Sequence, residues 1–134
     1  MEPDEARRRV SKARVGRLAT LAAGGRAQLV PCCFALVETS IFTAVDAKPK
    51  TTTALRRIDN IRADSRVGLL VDHYDEDWTN LWWVRVDGRA RVVDSATEQE
   101  TAIAALVAKY DQYRHVAIPG PVVAIEPESW KAWP

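Results

Sequence analysis

The chain has 134 residues, 47% of them hydrophobic, enough for one domain with a real core and too few for two. A formal net charge of +1 and a pI near 7.8 give no global basic field, and no local basic stripe replaces it, so nucleic acid is excluded as a partner. No eighteen apolar residues run together and Met1 leads into a charged segment, so a soluble, unexported protein with no membrane partner is expected.

Pro3 to Ala13 suits a short helix, acidic at its start and carrying Arg7, Arg8, Arg9 and Lys12 toward its end, as the helix dipole prefers. Those arginines read as a solvated face. Val15 to Leu21 reads as a strand, Gly24-Gly25 as a hairpin turn, and Ala27 to Val37 as the returning strand, so the chain begins as a β-meander. The returning strand is apolar on both faces, with Val30, Cys32, Phe34 and Leu36 on one and Leu29, Pro31, Cys33, Ala35 and Val37 on the other. A barrel interior on one side and a subunit or ligand contact on the other would cover both. Pro31 has no ladder donor and is confined to an edge or a bulge, so the sheet is expected to open near it, where a planar ligand can enter. Cys32 and Cys33 are adjacent, which makes a disulfide between them awkward; buried thiols in a reduced, cytoplasmic setting fit better. Cys32 has no base near it in sequence, which favours packing over nucleophilic chemistry.

After a short strand, Ile41 to Val45, the segment from Asp46 to Asn60 opens an amphipathic helix. Lys48 and Lys50 stand beside backbone N–H groups that a helix leaves unpaired at its start, where the dipole also favours negative charge. Such lysines are either simply solvated or they hold a phosphate. The crowding of Thr51, Thr52, Thr53, Arg56 and Arg57 just downstream, with Leu55, Ile58 and Ile61 spaced to bury the opposite face, points to a phosphorylated ligand.

Arg66 to Asp72 forms another strand, His73 to Thr79 a polar loop, and about Asn80 to Val93 a longer strand. Its register puts Trp82, Val84, Val86, Ala90 and Val92 on a core-like face and Leu81, Trp83, Arg85, Asp87, Arg89 and Arg91 on a mixed one. The mixed face is either solvent-facing or half of an interface, and nearby Trp78 favours the interface. Ser95-Ala-Thr-Glu98 is a capping box opening a structural helix with Ile103, Leu106, Val107 and Tyr110 on one face. Val122 to Ile125 supplies a last strand, and Trp130 and Trp133 close the chain, with no linker or internal repeat.

His73 and His115 lie far apart without ligand-spaced partners, so no metal site is expected, and no nucleophile elbow, phosphate-binding glycine loop or dinucleotide fingerprint occurs. No catalytic residue is assigned. A chain with so few acids and bases beside an anion site is expected to borrow its chemistry from an organic cofactor.

Val15-Gly-Arg-Leu-Ala-Thr20, Gly25-Arg-Ala-Gln-Leu-Val-Pro31 with Phe34, Phe42-Thr-Ala-Val-Asp46, Lys48-Pro-Lys50 and Leu55-x-Arg57-x-x-Asn60-Ile61 together resemble the pyridoxamine phosphate oxidase-like split β-barrel proteins. Within them, Trp78-Thr-Asn-Leu-Trp-Trp-Val-Arg-Val-Asp-Gly-Arg89 resembles the B group of deazaflavin-dependent oxidoreductases, which use coenzyme F-420. The resemblance spans nearly the whole chain. It implies a mainly β fold with flanking helices, a six-stranded split β-barrel (the FMN-binding split barrel) that pairs as a homodimer with the cofactor at the interface. By resemblance, Lys48, Lys50 and Thr51 hold the cofactor phosphate with Thr43 on the preceding strand, and Arg57 belongs to the same site. Gln28, Pro31 and Cys32 line the ring system, and Trp78 approaches from the other subunit. Flavin-using relatives carry Arg-Lys near the phosphate where this chain has Lys48-Pro49-Lys50, which favours F-420 and leaves FMN as the alternative. The implied reaction is hydride transfer from the reduced deazaflavin to a conjugated small-molecule acceptor, with Arg85, Tyr110, His73 or a water as proton source. A non-enzymatic cofactor or haem carrier is the third reading.

Overall fold

A computed structural model of the chain describes residues 1–45, 52–118 and 120–134, with 52–55 described by backbone alone. The first helix, α1 (Pro3–Lys12), starts on a proline, which has no N–H to leave unpaired, and carries Asp4 and Glu5 in its first turn and Arg9 and Lys12 in its last. Ala6 and Val10 are its buried residues. Arg9 is not merely solvated. It pairs with Glu5 at 2.6 Å and lies 4.9 Å over the ring of Trp82.

Strand β1 (Gly16–Leu21) turns at Gly24 and Gly25, whose φ angles of 80° and 79° suit residues without a Cβ, into β2 (Ala27–Cys32). The expected strand to Val37 is broken in two. Cys33 and Phe34 interrupt it, and β3 (Ala35–Val37) follows, pairing with β4 (Ser40–Ala44). Then come α2 (Thr52–Ala63), β5 (Arg66–His73), β6 (Trp82–Val92), α3 (Ala96–Lys109) and β7 (Val122–Trp133). Among the described residues the strands form one antiparallel sheet of seven in the order β2-β1-β5-β6-β7-β4-β3. The expected six become seven because of the break at Cys33-Phe34.

That order decides the shape. The outermost strands, β2 and β3, are neighbours in sequence, joined by two residues. Three Cα steps of about 3.8 Å bring Cys32 and Ala35 within roughly 11 Å, so the sheet must curl until its two edges nearly meet. The result is a half-barrel whose seam is bridged by the chain itself. Pro31 sits in edge strand β2, where its missing N–H costs no ladder bond on the open side.

Leu18, Phe34, Ile41, Leu69, Val71, Val84, Val86 and Ile125 fill the interior, each 1% exposed or less, and Ile58 and Ile61 of α2 join them. Each such side chain contributes about 1.5–3 kcal/mol. A second cluster lies outside the sheet, where Ala102 and Leu106 of α3 and Tyr110 just after it cover Phe42, Ala44, Val122 and Ala124. The strands buried on both faces are therefore β4 and the start of β7. The returning strand is covered on one face only: Ala27, Leu29 and Pro31 of β2 are exposed, Leu29 to 69%.

The last strand runs eight residues past the expected end at Ile125. Pro127 lies within it, at the bulge between Asp87 and Gly88 of β6, where a proline is tolerated. A Cβ on Gly88 would stand 2.3 Å from the carbonyl oxygen of Glu126, so only glycine admits this close approach. The capping box is half-formed. Ser95 accepts from the Glu98 N–H at 3.3 Å, while the Glu98 carboxylate turns to Arg91 at 2.6 Å. Among the described residues no helix is long and apolar enough to cross a membrane.

Candidate functional site

A cleft of about 340 Å³ opens at the barrel seam, lined by Val15, Pro31, Cys32, Cys33, Ala44, Arg57 and, from the segment after α3, Tyr110, Gln112 and Tyr113. It is within the range of small-ligand sites, about 300–1,000 Å³. Three expected residues meet here: Pro31 and Cys32 from the end of β2, and Arg57 from α2. Lys48, Lys50 and Thr51 lie outside the described residues. They join Ala44 and Val45 at one end to α2 at the other, and Ala44 lines the cleft.

Arg57 is the most telling group. Its Nε is buried without a hydrogen-bond partner, and an orphaned donor in such a place costs about 1–3 kcal/mol unless something accepts from it. Cys32 sits beside it, 8% exposed. Burial pushes the Cys32 thiol up to about 11, against the pull of a hydrogen bond with Thr43 and the charge of Arg57. At neutral pH it is a thiol and behaves as an apolar wall.

Thr43 stands behind the cleft. It is 1% exposed and its hydroxyl donates to the Cys33 carbonyl at 2.7 Å, so it braces the wall instead of facing a ligand. Gln28 lies four residues from Cys32 on the same face of β2 and accepts from Asn60 Nδ2 at 2.7 Å. Trp78 occupies the β5–β6 connection, 69% exposed, and does not line the cleft of its own chain.

Gln112 and Tyr113 carried no sequence signal for the site, and Tyr110 entered it only as one of several expected proton sources. Tyr110 reads as one more apolar position on the α3 face, and the stretch after it has no periodicity. Their place depends on a tertiary knot. The Phe34 N–H donates to the Tyr110 hydroxyl at 3.1 Å, that hydroxyl reaches the carbonyls of Phe34 and Arg14 at 3.1 and 3.0 Å, and Lys109 Nζ donates to the Phe34 carbonyl at 2.9 Å. The strand break thus gets from α3 the partners that a ladder would have supplied. With its hydroxyl so engaged, Tyr110 is a poor proton source. Arg85, another expected source, is bonded to Asp87 at 3.0 Å on the outer sheet face.

Two larger hollows, of about 480 and 550 Å³, lie on that outer face. Leu70, Trp83 and Trp133 line one of them, and among the described residues no helix contributes to its lining. Among the described residues no three His, Cys, Asp or Glu side chains gather as a metal ion requires.

The family model for pyridoxamine 5'-phosphate oxidase matches residues 2–134. The chain belongs to the pyridoxamine 5'-phosphate oxidase family. Solved structures agree on the fold. A conserved hypothetical protein of Mycobacterium tuberculosis superposes with a TM-score of 0.82 at 21% identity, covering 99% of this chain and 84% of that one. An FAD-binding protein of Mesorhizobium loti gives 0.73 at 21%, covering 98% and 92%. The haem storage protein HutZ of Vibrio cholerae gives 0.73 at 16%, covering 98% and 92%. Comparison with curated proteins finds no match. Membership of the pyridoxamine 5'-phosphate oxidase family therefore goes with a scaffold whose similar structures carry names of both flavin and haem binding.

Proposed function

We propose that this chain is an oxidoreductase that holds a phosphate-bearing deazaflavin, coenzyme F-420, in the cleft of Pro31, Cys32 and Arg57 and serves hydride transfer to a conjugated small-molecule acceptor. The observation that carries the reading is the buried, unpaired Nε of Arg57, a donor set beside apolar walls that suit a flat ring. The donor chemistry fits such a group: one guanidinium for acceptor atoms, Pro31 and an un-ionised Cys32 for ring faces, and Lys48, Lys50 and Thr51 nearby in sequence for the phosphate. When bound, the cofactor supplies the two-electron chemistry. The protein's part is to orient the ring, keep water from it and add no competing nucleophile.

The second copy belongs to this proposal. The uncovered outer face with Leu29, Leu70, Trp83 and Trp133 suits a homodimer contact, and pairing would let Trp78 of one protomer approach the cleft of the other. Two free thiols, one buried, suit a reducing cytoplasmic setting. The second reading is a flavin enzyme using FMN, favoured by the likeness to the FAD-binding Mesorhizobium protein. Titrating the purified protein with F-420, FMN and haemin decides among them. Saturable binding of F-420, weakened in Arg57→Leu, supports the first reading. A yellow protein with a flavin spectrum replaces it with the second, and tight haemin binding without turnover of any acceptor replaces both.

A further inference from the structure

Three residues on from Arg57, on the same face of α2, stands Asn60. Its amide nitrogen donates to Gln28 Oε1 at 2.7 Å and to the buried Thr20 Oγ1 at 3.1 Å. Both hydrogens of that nitrogen are thereby used. Gln28 and Thr20 face each other across the β1–β2 ladder, so Asn60 grips both strands at once. With its oxygen engaged, half-buried Gln28 has its two N–H groups left, and among the described residues no acceptor meets them. Two unanswered donors thus stand where α2 meets β2: Nε2 of Gln28 on the strand and, one turn back from Asn60 on the helix, Nε of Arg57.

We propose that Asn60 is a positioning residue: it holds the Gln28 amide with its N–H groups outward, so that Gln28 and Arg57 read the acceptor edge of a planar ring. A pyrimidine-dione edge has that chemistry, two carbonyl oxygens in the plane of a flat heterocycle. The inference rests on the ring-cofactor reading above and sharpens it. Flavins and deazaflavins share the edge, whereas haem presents carboxylates at one rim and no ring carbonyl. Reversing the amide would point an oxygen at the ring's oxygens, so its orientation selects the ligand class.

Asn60→Asp imposes that reversal, because a carboxylate accepts from both Gln28 and Thr20 and draws the Gln28 N–H groups inward. The test titrates the whole protein with F-420, FMN and haemin, following quenching or absorbance. Asn60→Asp is expected to raise the dissociation constant for F-420 or FMN about tenfold, Asn60→Ala about threefold, and neither to move haemin binding. As a second measurement, independent of any variant's folding, the side-chain amide NMR signals of Gln28 in the wild type are expected to shift when FMN or F-420 is added. An Asn60→Asp protein that binds within twofold of the wild type, or Gln28 amide signals that stay put at saturation, overturns the positioning role while leaving the cofactor reading in place. A wild type that binds neither F-420 nor FMN removes that reading, and this inference with it.

Discussion

The hydroxyl of Tyr110 sits 3.1 Å from both the amide nitrogen and the carbonyl oxygen of Phe34, so one phenol serves both backbone groups of the residue at which the returning strand breaks. Phe34 itself is fully buried, which leaves water no access to take over. Tyr110→Phe keeps the ring and removes the hydroxyl. It should lower unfolding stability by about 1–3 kcal/mol, the cost of a buried backbone group left unpaired. A urea midpoint equal to the wild type's would show that another group satisfies Phe34.

The pH dependence of stability follows from Cys32. Its folded value, about 11 against 9.0 for a free thiol, is raised by burial, so the neutral thiol favours the fold. That contribution is fully present below pH 9 and is lost as pH climbs through 11. Tyr110, pushed up to about 12 chiefly by burial, acts in the same sense at higher pH. Lys109, pushed down to about 8 by burial and by Arg14, acts oppositely, favouring the fold as pH rises from 8 toward 10.5. Urea unfolding between pH 8.5 and 10.5 should therefore show a smaller alkaline loss in Cys32→Ala than in the wild type, and parallel curves would contradict it.

Gly88→Ala places a methyl 2.3 Å from the Glu126 carbonyl, a backbone atom that cannot swing aside. The bulge must open, at a cost of about 1–3 kcal/mol or more, with a clearly lower melting temperature. Gly68→Ala, whose methyl would be 3.5 Å from Asp87 Oδ1, is the matched control and should melt much nearer the wild type.

At the cleft, Arg57→Leu and Lys50→Ala should each weaken F-420 binding by about 1.5–3 kcal/mol, the worth of a charge-assisted contact. Fluorescence titration measures both. An unchanged dissociation constant removes the substituted residue from the site.

On the outer sheet face, Trp83 pairs directly across the ladder with Trp133, two flat side chains on one uncovered surface. Trp83→Ala should raise the monomer fraction in sedimentation. An unchanged monomer fraction would argue against the proposed homodimer contact on this face.

The alternation of Trp82, Val84, Val86 and Ala90 was legible because a strand's period of two survives a bulge carried by the partner strand, where Glu128 is the extra residue. The hairpin at Gly24-Gly25 was legible because only glycine takes those angles freely. The strand's run past Ile125 was not legible because the place of Pro127 within it depends on Gly88, a residue thirty-nine positions away that makes room for it. The break at Phe34 was hidden for a similar reason: nothing local ends the strand, and its replacement partners come from Lys109 and Tyr110. At the candidate site, Pro31 and Arg57 stood out from strand and helix patterns and Cys32 from the family resemblance alone, whereas Gln112 and Tyr113 owe their position to that distant knot and carry no periodicity to betray it.

Because Cys33 and Phe34 tie one rim of the curled sheet to the other, the mouth beside them can gape only as far as a two-residue tether allows. Whatever enters there meets an aperture of nearly fixed width, set by covalent bonds and not by hydrogen bonds that fray.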